Sequence, residues 1–254
     1  DHLLRIGAQL AQLDHFDTTV CEKESCAASI KETLEILWQT SEIRQRKVQV
    51  IDEVDQTLFY FQRTILSLLP DTQDKVRKEF SRYFGHEKKL ELPPFVRFGS
   101  WVGADRDGNP NVTCDVTKKT IAQQRRVILR KYLVSLENLI RKFSQSQESV
   151  KTSKKLKDSL EEDERLMPDL ARELKRFELS EIYRKKFSFM HQRLENTLHR
   201  KKPAYALADD FLQDLALVKE SLQANRGVLA SRDLERLIDK VRFFGFYLAK
   251  LDFR

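Results

Sequence analysis

Residues 95–113 read FVRFGSWVGADRDGNPNVT, and this stretch separates two halves of the chain that are patterned as helices. Three of the seven glycines in 254 residues fall inside it (Gly99, Gly103 and Gly108), with Pro110 among them and Pro93 and Pro94 just before. Glycine is kept where the backbone needs φ > 0 or a close approach, so the stretch predicts a loop of demanding shape. Asp105, Arg106, Asp107 and Asn109 crowd into it beside Trp101. Charges converging on a stiff loop over a helical scaffold are a common seat of function.

Spacing excludes two readings of this loop. Asp105, Asp107 and Asn109 stand at i, i+2 and i+4, as at the start of an EF-hand, but that loop needs Gly at its sixth position and Glu at its twelfth. Here those positions hold Pro110 and Val116. No Gly-Lys-Ser/Thr follows, and no strand pattern leads in, so a phosphate-cradling P-loop is excluded as well.

Outward from the loop the periodicity is helical. Upstream, Leu3, Ile6, Leu10 and Leu13 predict a first helix; after a polar break at 14–25, Ile30, Leu34, Leu37 and Trp38 mark one face of a second. Ile51, Val54, Leu58, Phe61, Ile65 and Leu68 follow a 3–4 spacing for about five turns. Pro70 is expected to end that helix and Asp71 to cap the next, which stops before Gly85. Downstream, Thr113 is a side-chain cap for a long helix with the face Ile128, Tyr132, Leu136, Leu139, Ile140 and Phe143. Residues 144–153 read as a polar linker. Residues 154–177 are charge-rich with sparse leucines, interrupted at Pro168, and further helices are expected over 180–202, 206–225 and 231–244. Residues 246–254 read as a buried strand, the one convincing strand in the chain. A lone strand cannot satisfy its backbone hydrogen bonds, so the expectation is a fragment cut just after the first strand of a sheet or barrel.

Composition bounds the classes. Charged residues make up 33% and hydrophobic residues 41% of the chain, a profile of helical proteins with charged outer faces. No apolar run approaches the ~20 residues that span a bilayer. Cys21, Cys26 and Cys114 read as free thiols in a reducing compartment, since a lone C-x4-C pair is a poor zinc site. The net charge of +7 admits an anionic ligand or a nucleic-acid partner. The basic clusters around Arg125, Arg130, Arg184-Lys185-Lys186 and Arg200 alternate with apolar positions and read as solvated helix faces, with no aromatic platform for nucleic acid. His15, His86, His191 and His199 lack a neighbouring nucleophile and read as solvent-facing.

From Gly99 to Thr113 the order G-S-W-x-G-x-D-R-D-G-N-P-N-V-T resembles the signature of the phosphoenolpyruvate carboxylase family, with Ala104 where that family usually has glycine. Phe244-Gly245 followed by Leu251-Asp252-Phe253-Arg254 is similar to a second family segment, and Thr40-Ser41-Glu42-Ile43-Arg44, followed by Asp52-Glu53, to a third. The three occur in the family's order, so the resemblance covers essentially the whole chain.

The resemblance implies an all-α fold, mainly a helical bundle, ending in the first β-strand of a truncated (β/α) barrel. It divides the chain into a first helical group (1–92), the signature loop (93–113), a second helical group (114–245) and the first barrel strand (246–254). It implies carboxylation of phosphoenolpyruvate by bicarbonate to oxaloacetate and phosphate, with Mg²⁺ or Mn²⁺ bound by ligands outside this chain. A polypeptide lacking the remaining catalytic residues would be inactive alone; the family's His-Pro-Thr motif would lie upstream of Asp1. The whole enzyme would be a cytoplasmic, allosteric homotetramer feeding the tricarboxylic acid cycle, with the remainder of the same polypeptide as partner.

By resemblance, Arg254 binds on the phosphate side of phosphoenolpyruvate, as a planar guanidinium at a strand's C-terminal end can. Trp101 reads as core from the residues alone; by resemblance it lines the apolar pocket near the substrate's methylene carbon. Arg106 between Asp105 and Asp107 reads as an ion-pair knot or as a direct ligand. Gly103, Asp105, Asp107, Gly108, Asn109 and Pro110 form the structural loop, with Asn109 bracing the turn through its own backbone. The alternative is a helical binding or scaffold module without catalysis, possible for nucleic acid.

Overall fold

Among the residues described by the computed structural model (2–14, 19–40, 48–85, 92–107, 109–143, 152–175, 181–224 and 232–253), the chain is mainly helical, as its periodicity predicts. Gly108, Arg254, His15, His86, most of the Thr40–Arg44 segment and most of the 144–153 linker lie outside them. The chain divides into two compact units, Asp1–Val48 and Gln49–Arg254.

The first unit is a helix pair, α1 (His2–Leu13) and α2 (Val20–Gln39). Thr19 and Glu22 close a reciprocal capping box, so α2 starts inside the stretch expected to be a polar break. The Cys26 thiol donates to Gln9 O, and Gln9 Nε2 donates to Ser29 Oγ. The expected apolar face of α2 is not buried: Trp38 is 92% exposed.

The second unit begins with α3 (Val50–Tyr60), a π-helical turn (Phe61–Ile65) and α4 (Leu66–Phe84). In the π turn Leu66 N–H reaches back five residues to Phe61 O, which adds one residue to the turn and rotates the core face. Leu66 and Leu69 are therefore buried, while Leu68, expected on that face, is exposed. Pro70 does not end the helix. It sits buried inside α4, which stops instead at Gly85, φ +85°. The widened turn lies just upstream of the proline, which has no N–H to offer Leu66.

α5 (Cys114–Lys142) is the axis of this unit. Thr113 Oγ accepts from Val116 N–H, the predicted cap, with Asp115 in the first turn. Ile128, Tyr132, Leu136 and Leu139 are fully buried or nearly so. They pack in one core with Phe187, Met190 and Leu194 of α8 (Ile182–His199), Phe211, Leu215 and Val218 of α9 (Ala208–Ala224), and Leu234 and Leu237 of α10 (Arg232–Phe244). Each such side chain contributes about 1.5–3 kcal/mol by leaving water. α6 (Lys154–Leu166) and α7 (Pro168–Leu174) add a smaller cluster of Leu160, Met167 and Leu174 against Phe189. Arg77 of α4 donates both guanidinium nitrogens to buried Asp239 of α10 at 2.7 Å.

The basic cluster at 184–186 is not a solvated face. Lys186 is fully buried, and Lys185 nearly so. Lys186 Nζ donates to Asp163 Oδ2 of α6 (2.7 Å), Asp214 Oδ1 of α9 (2.9 Å) and Ser159 Oγ (2.7 Å). Arg193 completes the network from 3.0 Å on Asp214 and stacks over the Tyr205 ring.

The predicted strand over 246–254 is shorter and has a partner. β2 is Lys250–Leu251, paired parallel with β1, Gly99–Ser100, in register Gly99 with Lys250 and Ser100 with Leu251. Gly245, at φ +54°, turns the chain out of α10, and Tyr247 N–H bonds to Phe244 O. Phe246 and Leu248 are buried from this turn, which produces an apolar alternation that looks like a strand. The loop, read as having no strand, supplies β1.

Candidate functional site: the signature loop against the last strand

The two ends of this site are brought together by aromatic packing. Phe98, just before β1, stacks on Phe244 at the end of α10 with centroids 5.7 Å apart and planes at 11°. Phe61 of the π turn meets Phe98 edge-on at 5.3 Å. Pairs of this kind add about 0.5–1.5 kcal/mol beyond their buried area. Lys250 N–H then donates to Phe98 O, and Asp252 N–H to Ser100 O, at 2.9 and 3.1 Å.

After β1 the loop folds on its own backbone. Val102 N–H donates to Ser100 Oγ, and the N–H groups of Ala104 and Asp105 both donate to Trp101 O. Gly103 takes φ +80°, and a Cβ there would lie 3.0 Å from Thr120 Cβ and Cγ2, with the Thr120 hydroxyl closer still. No side chain fits. Thr117 Oγ of α5 donates to Gly103 O at 2.8 Å. Ala104, the departure from the family signature, is fully buried, so its methyl is accommodated.

The acidic and amide side chains brace turns. Asp105 Oδ1 accepts from Asp107 N–H, and Asn109 Oδ1 from Asn111 N–H, both at 3.1 Å. The expected Asp105–Arg106–Asp107 ion-pair knot does not form: among the described residues Arg106 has no ion pair, and it is exposed. Neighbouring side chains at i and i+1 point apart, so local sequence adjacency does not bring these charges together. Trp101 is not core either; it is 53% exposed. Pro110 is exposed, and Asn109 half-buried.

α5 also holds the other side of the site. Gln124, almost fully buried, accepts the Ala249 N–H on Oε1 at 3.0 Å. Tyr132 hydroxyl lies 2.8 Å from Gly245 O and 3.1 Å from Lys240 O, and burial pushes its phenol well above the ordinary value. Sequence reasoning passed over Thr117, Thr120 and Gln124. The signal was present: they continue the Ile128–Tyr132–Leu136 stripe with polar residues at positions where the helix must bury them. Beside β2 lies a cleft of about 570 Å³, lined by Phe98, Phe243, Phe244 and Phe253 with Arg97 and Lys250; Trp101 does not line it. Among the described residues no three His, Cys, Asp or Glu side chains converge as metal ligands. No helix among them is long and apolar enough to cross a membrane.

These features define a class: a helical scaffold that holds a turn-braced loop and pairs the loop's first residues with a short strand. A sequence profile of the family described as Phosphoenolpyruvate carboxylase matches residues 1–254. The chain belongs to the phosphoenolpyruvate carboxylase family. It is similar to the phosphoenolpyruvate carboxylase of Synechocystis sp. at 35% identity, over 98% of this chain and 26% of that protein. The like-named proteins of Parasynechococcus marenigrum and Roseiflexus castenholzii are each 33% identical, over 92% and 91% of this chain and 25% and 26% of theirs. The chain thus spans about a quarter of the length of the curated relatives it matches.

Proposed function

We propose that this chain is the helical, loop-bearing portion of an enzyme that carboxylates phosphoenolpyruvate with bicarbonate, forming oxaloacetate and phosphate. The observation that supports it most directly is the pairing of β1 with β2, which joins two segments that each resemble the family. Phe98 O and Ser100 O, where the loop begins, accept the N–H groups of Lys250 and Asp252.

In this reading bicarbonate attacks the phosphoryl group, giving carboxyphosphate and the enolate of pyruvate; carbon dioxide from carboxyphosphate then takes up the enolate carbon. Arg254 binds the transferring phosphoryl oxygens by a charge-assisted, two-pronged contact. Trp101 shields the methylene carbon from water, which would protonate the enolate, and Arg106 is a second anion ligand. Gly103, Asp105, Asp107, Gly108, Asn109 and Pro110 hold the loop's shape. In this reading the divalent Mg²⁺ or Mn²⁺ is bound by ligands elsewhere in the polypeptide. The working enzyme is a cytoplasmic homotetramer under allosteric control, feeding the tricarboxylic acid cycle, and this chain without the rest of the polypeptide is inactive.

The test is bicarbonate-dependent oxaloacetate formation by the full-length parent polypeptide with metal supplied, comparing intact protein with Arg254→Ala. The expected result is an active parent and a variant slower by roughly 100-fold or more, the effect of removing a charge-stabilising donor. An active parent with an unimpaired variant removes the role of Arg254. A parent that makes no oxaloacetate overturns the carboxylase reading, and a helical scaffold or binding module takes its place.

A further inference from the structure

One helix sets the distance between the loop and the strand. Along a single face of α5, Thr117 holds Gly103 O of the loop, Gln124 holds Ala249 N–H, and Tyr132 holds Gly245 O. The middle contact is the one beside the strand, because Ala249 is the last residue before β2. Lys250 and Asp252 direct their N–H groups to β1, so the alternation of a strand turns the Ala249 N–H to the opposite edge. There the side-chain carbonyl of Gln124 substitutes for a neighbouring strand. Gln124 also lines a small gap together with Ser100, Val102, Leu248 and Ala249.

We propose that Gln124 is a positioning residue for the site: by accepting the Ala249 N–H it fixes where β2 starts, and through β2 the placement of Asp252 and Phe253. This rests on the carboxylase reading for its effect on turnover. The structural half does not, since Gln124 reaches Ala249 whatever reaction is catalysed. Gln124 itself is not placed on substrate. Sites depend on such supporting contacts because a misplacement of ~1 Å can cost about 100-fold in rate.

The experiment uses the full-length parent polypeptide and three forms: intact, Gln124→Leu, which removes the acceptor at similar size, and Gln124→Glu, which keeps an oxygen at the same reach. Two readouts are taken on each, amide hydrogen exchange of the 246–253 segment and steady-state kinetics with phosphoenolpyruvate. In Gln124→Leu the exchange of this segment rises about tenfold or more while protection of α5 and α8 is kept, and kcat/KM falls about 100-fold. In Gln124→Glu both effects are largely reversed. Unchanged exchange in Gln124→Leu overturns the proposal, whether or not the parent is a carboxylase. Raised exchange with undiminished kcat/KM also overturns it, as does loss of protection throughout the helices, which marks a merely structural residue. Raised exchange in a parent that makes no oxaloacetate leaves Gln124 as the anchor of β2 and refutes the carboxylase reading instead.

Discussion

Replacing Lys186 by Met tests how this unit tolerates a charge at its centre. Lys186 is fully buried and holds Asp163, Asp214 and Ser159 within 2.7–2.9 Å. Asp214 keeps Arg193 at 3.0 Å and the Tyr205 hydroxyl at 2.7 Å after the change. Asp163, itself 2% exposed, keeps Arg193 at the longer distance of 3.5 Å. The penalty therefore falls on Asp163, whose carboxyl group loses its nearest cation in a buried site. Breaking a buried pair from one side costs about 3–5 kcal/mol, and the methionine chain recovers some packing, so a loss of about 3 kcal/mol is expected. Against a typical domain stability of about 5–15 kcal/mol that is a large fraction.

Urea unfolding followed by circular dichroism measures it on the wild type, Lys186→Met, Asp163→Asn and the double variant. The double variant, with no unpaired carboxylate, should regain at least about 1 kcal/mol over Lys186→Met. The pH dependence has a definite sign. Burial raises the Asp163 carboxyl above its ordinary value, with Lys186 opposing. A folded value above the unfolded one means that this contribution is fully present below the unfolded value and is lost as pH rises through the folded one. Without Lys186 the folded value climbs further. The deficit of Lys186→Met is therefore greatest near neutral pH and shrinks as pH falls through the carboxylate range. A deficit below about 1 kcal/mol at neutral pH, or one that ignores pH, refutes this account of the network.

Two further outcomes follow from the same structure. Gly103→Ala should destabilise the chain by about 2–4 kcal/mol, from a positive φ and the overlap with Thr120; adding Thr120→Ala should recover part of this, and a single variant within about 0.5 kcal/mol of wild type in urea would show that the loop is not held as described. Burial holds the phenols of Tyr132 and Tyr205 well above their ordinary value, Tyr205 further through Asp214. Their stabilisation is present below the unfolded tyrosine value and lost as pH rises through the folded ones, so in an alkaline titration read at the phenolate absorbance both should ionise only as the helical signal collapses. Full phenolate formation with helicity intact would contradict it.

The sequence by itself determined what depends on near neighbours. The 3.6-residue period of α5, its Thr113 cap and the end of α4 at Gly85 are local choices, each made within a turn or two, and the order of residues in 99–113 identifies the family without any fold. What the tertiary structure decided are pairings between distant residues. A two-residue strand has no period of its own, so β1 could be recognised only once Phe98, Phe61 and Phe244 brought it to Lys250. Lys186 looks like any surface lysine until α6 and α9 deliver Asp163 and Asp214 to it. The extra residue of the π turn moved Leu66 inward and Leu68 out, a rotation that no window of apolar spacing contains. Gln124 carries the same lesson for the site: its partner is a backbone N–H, which every residue type except proline offers, so the residue type of that partner could not announce the contact.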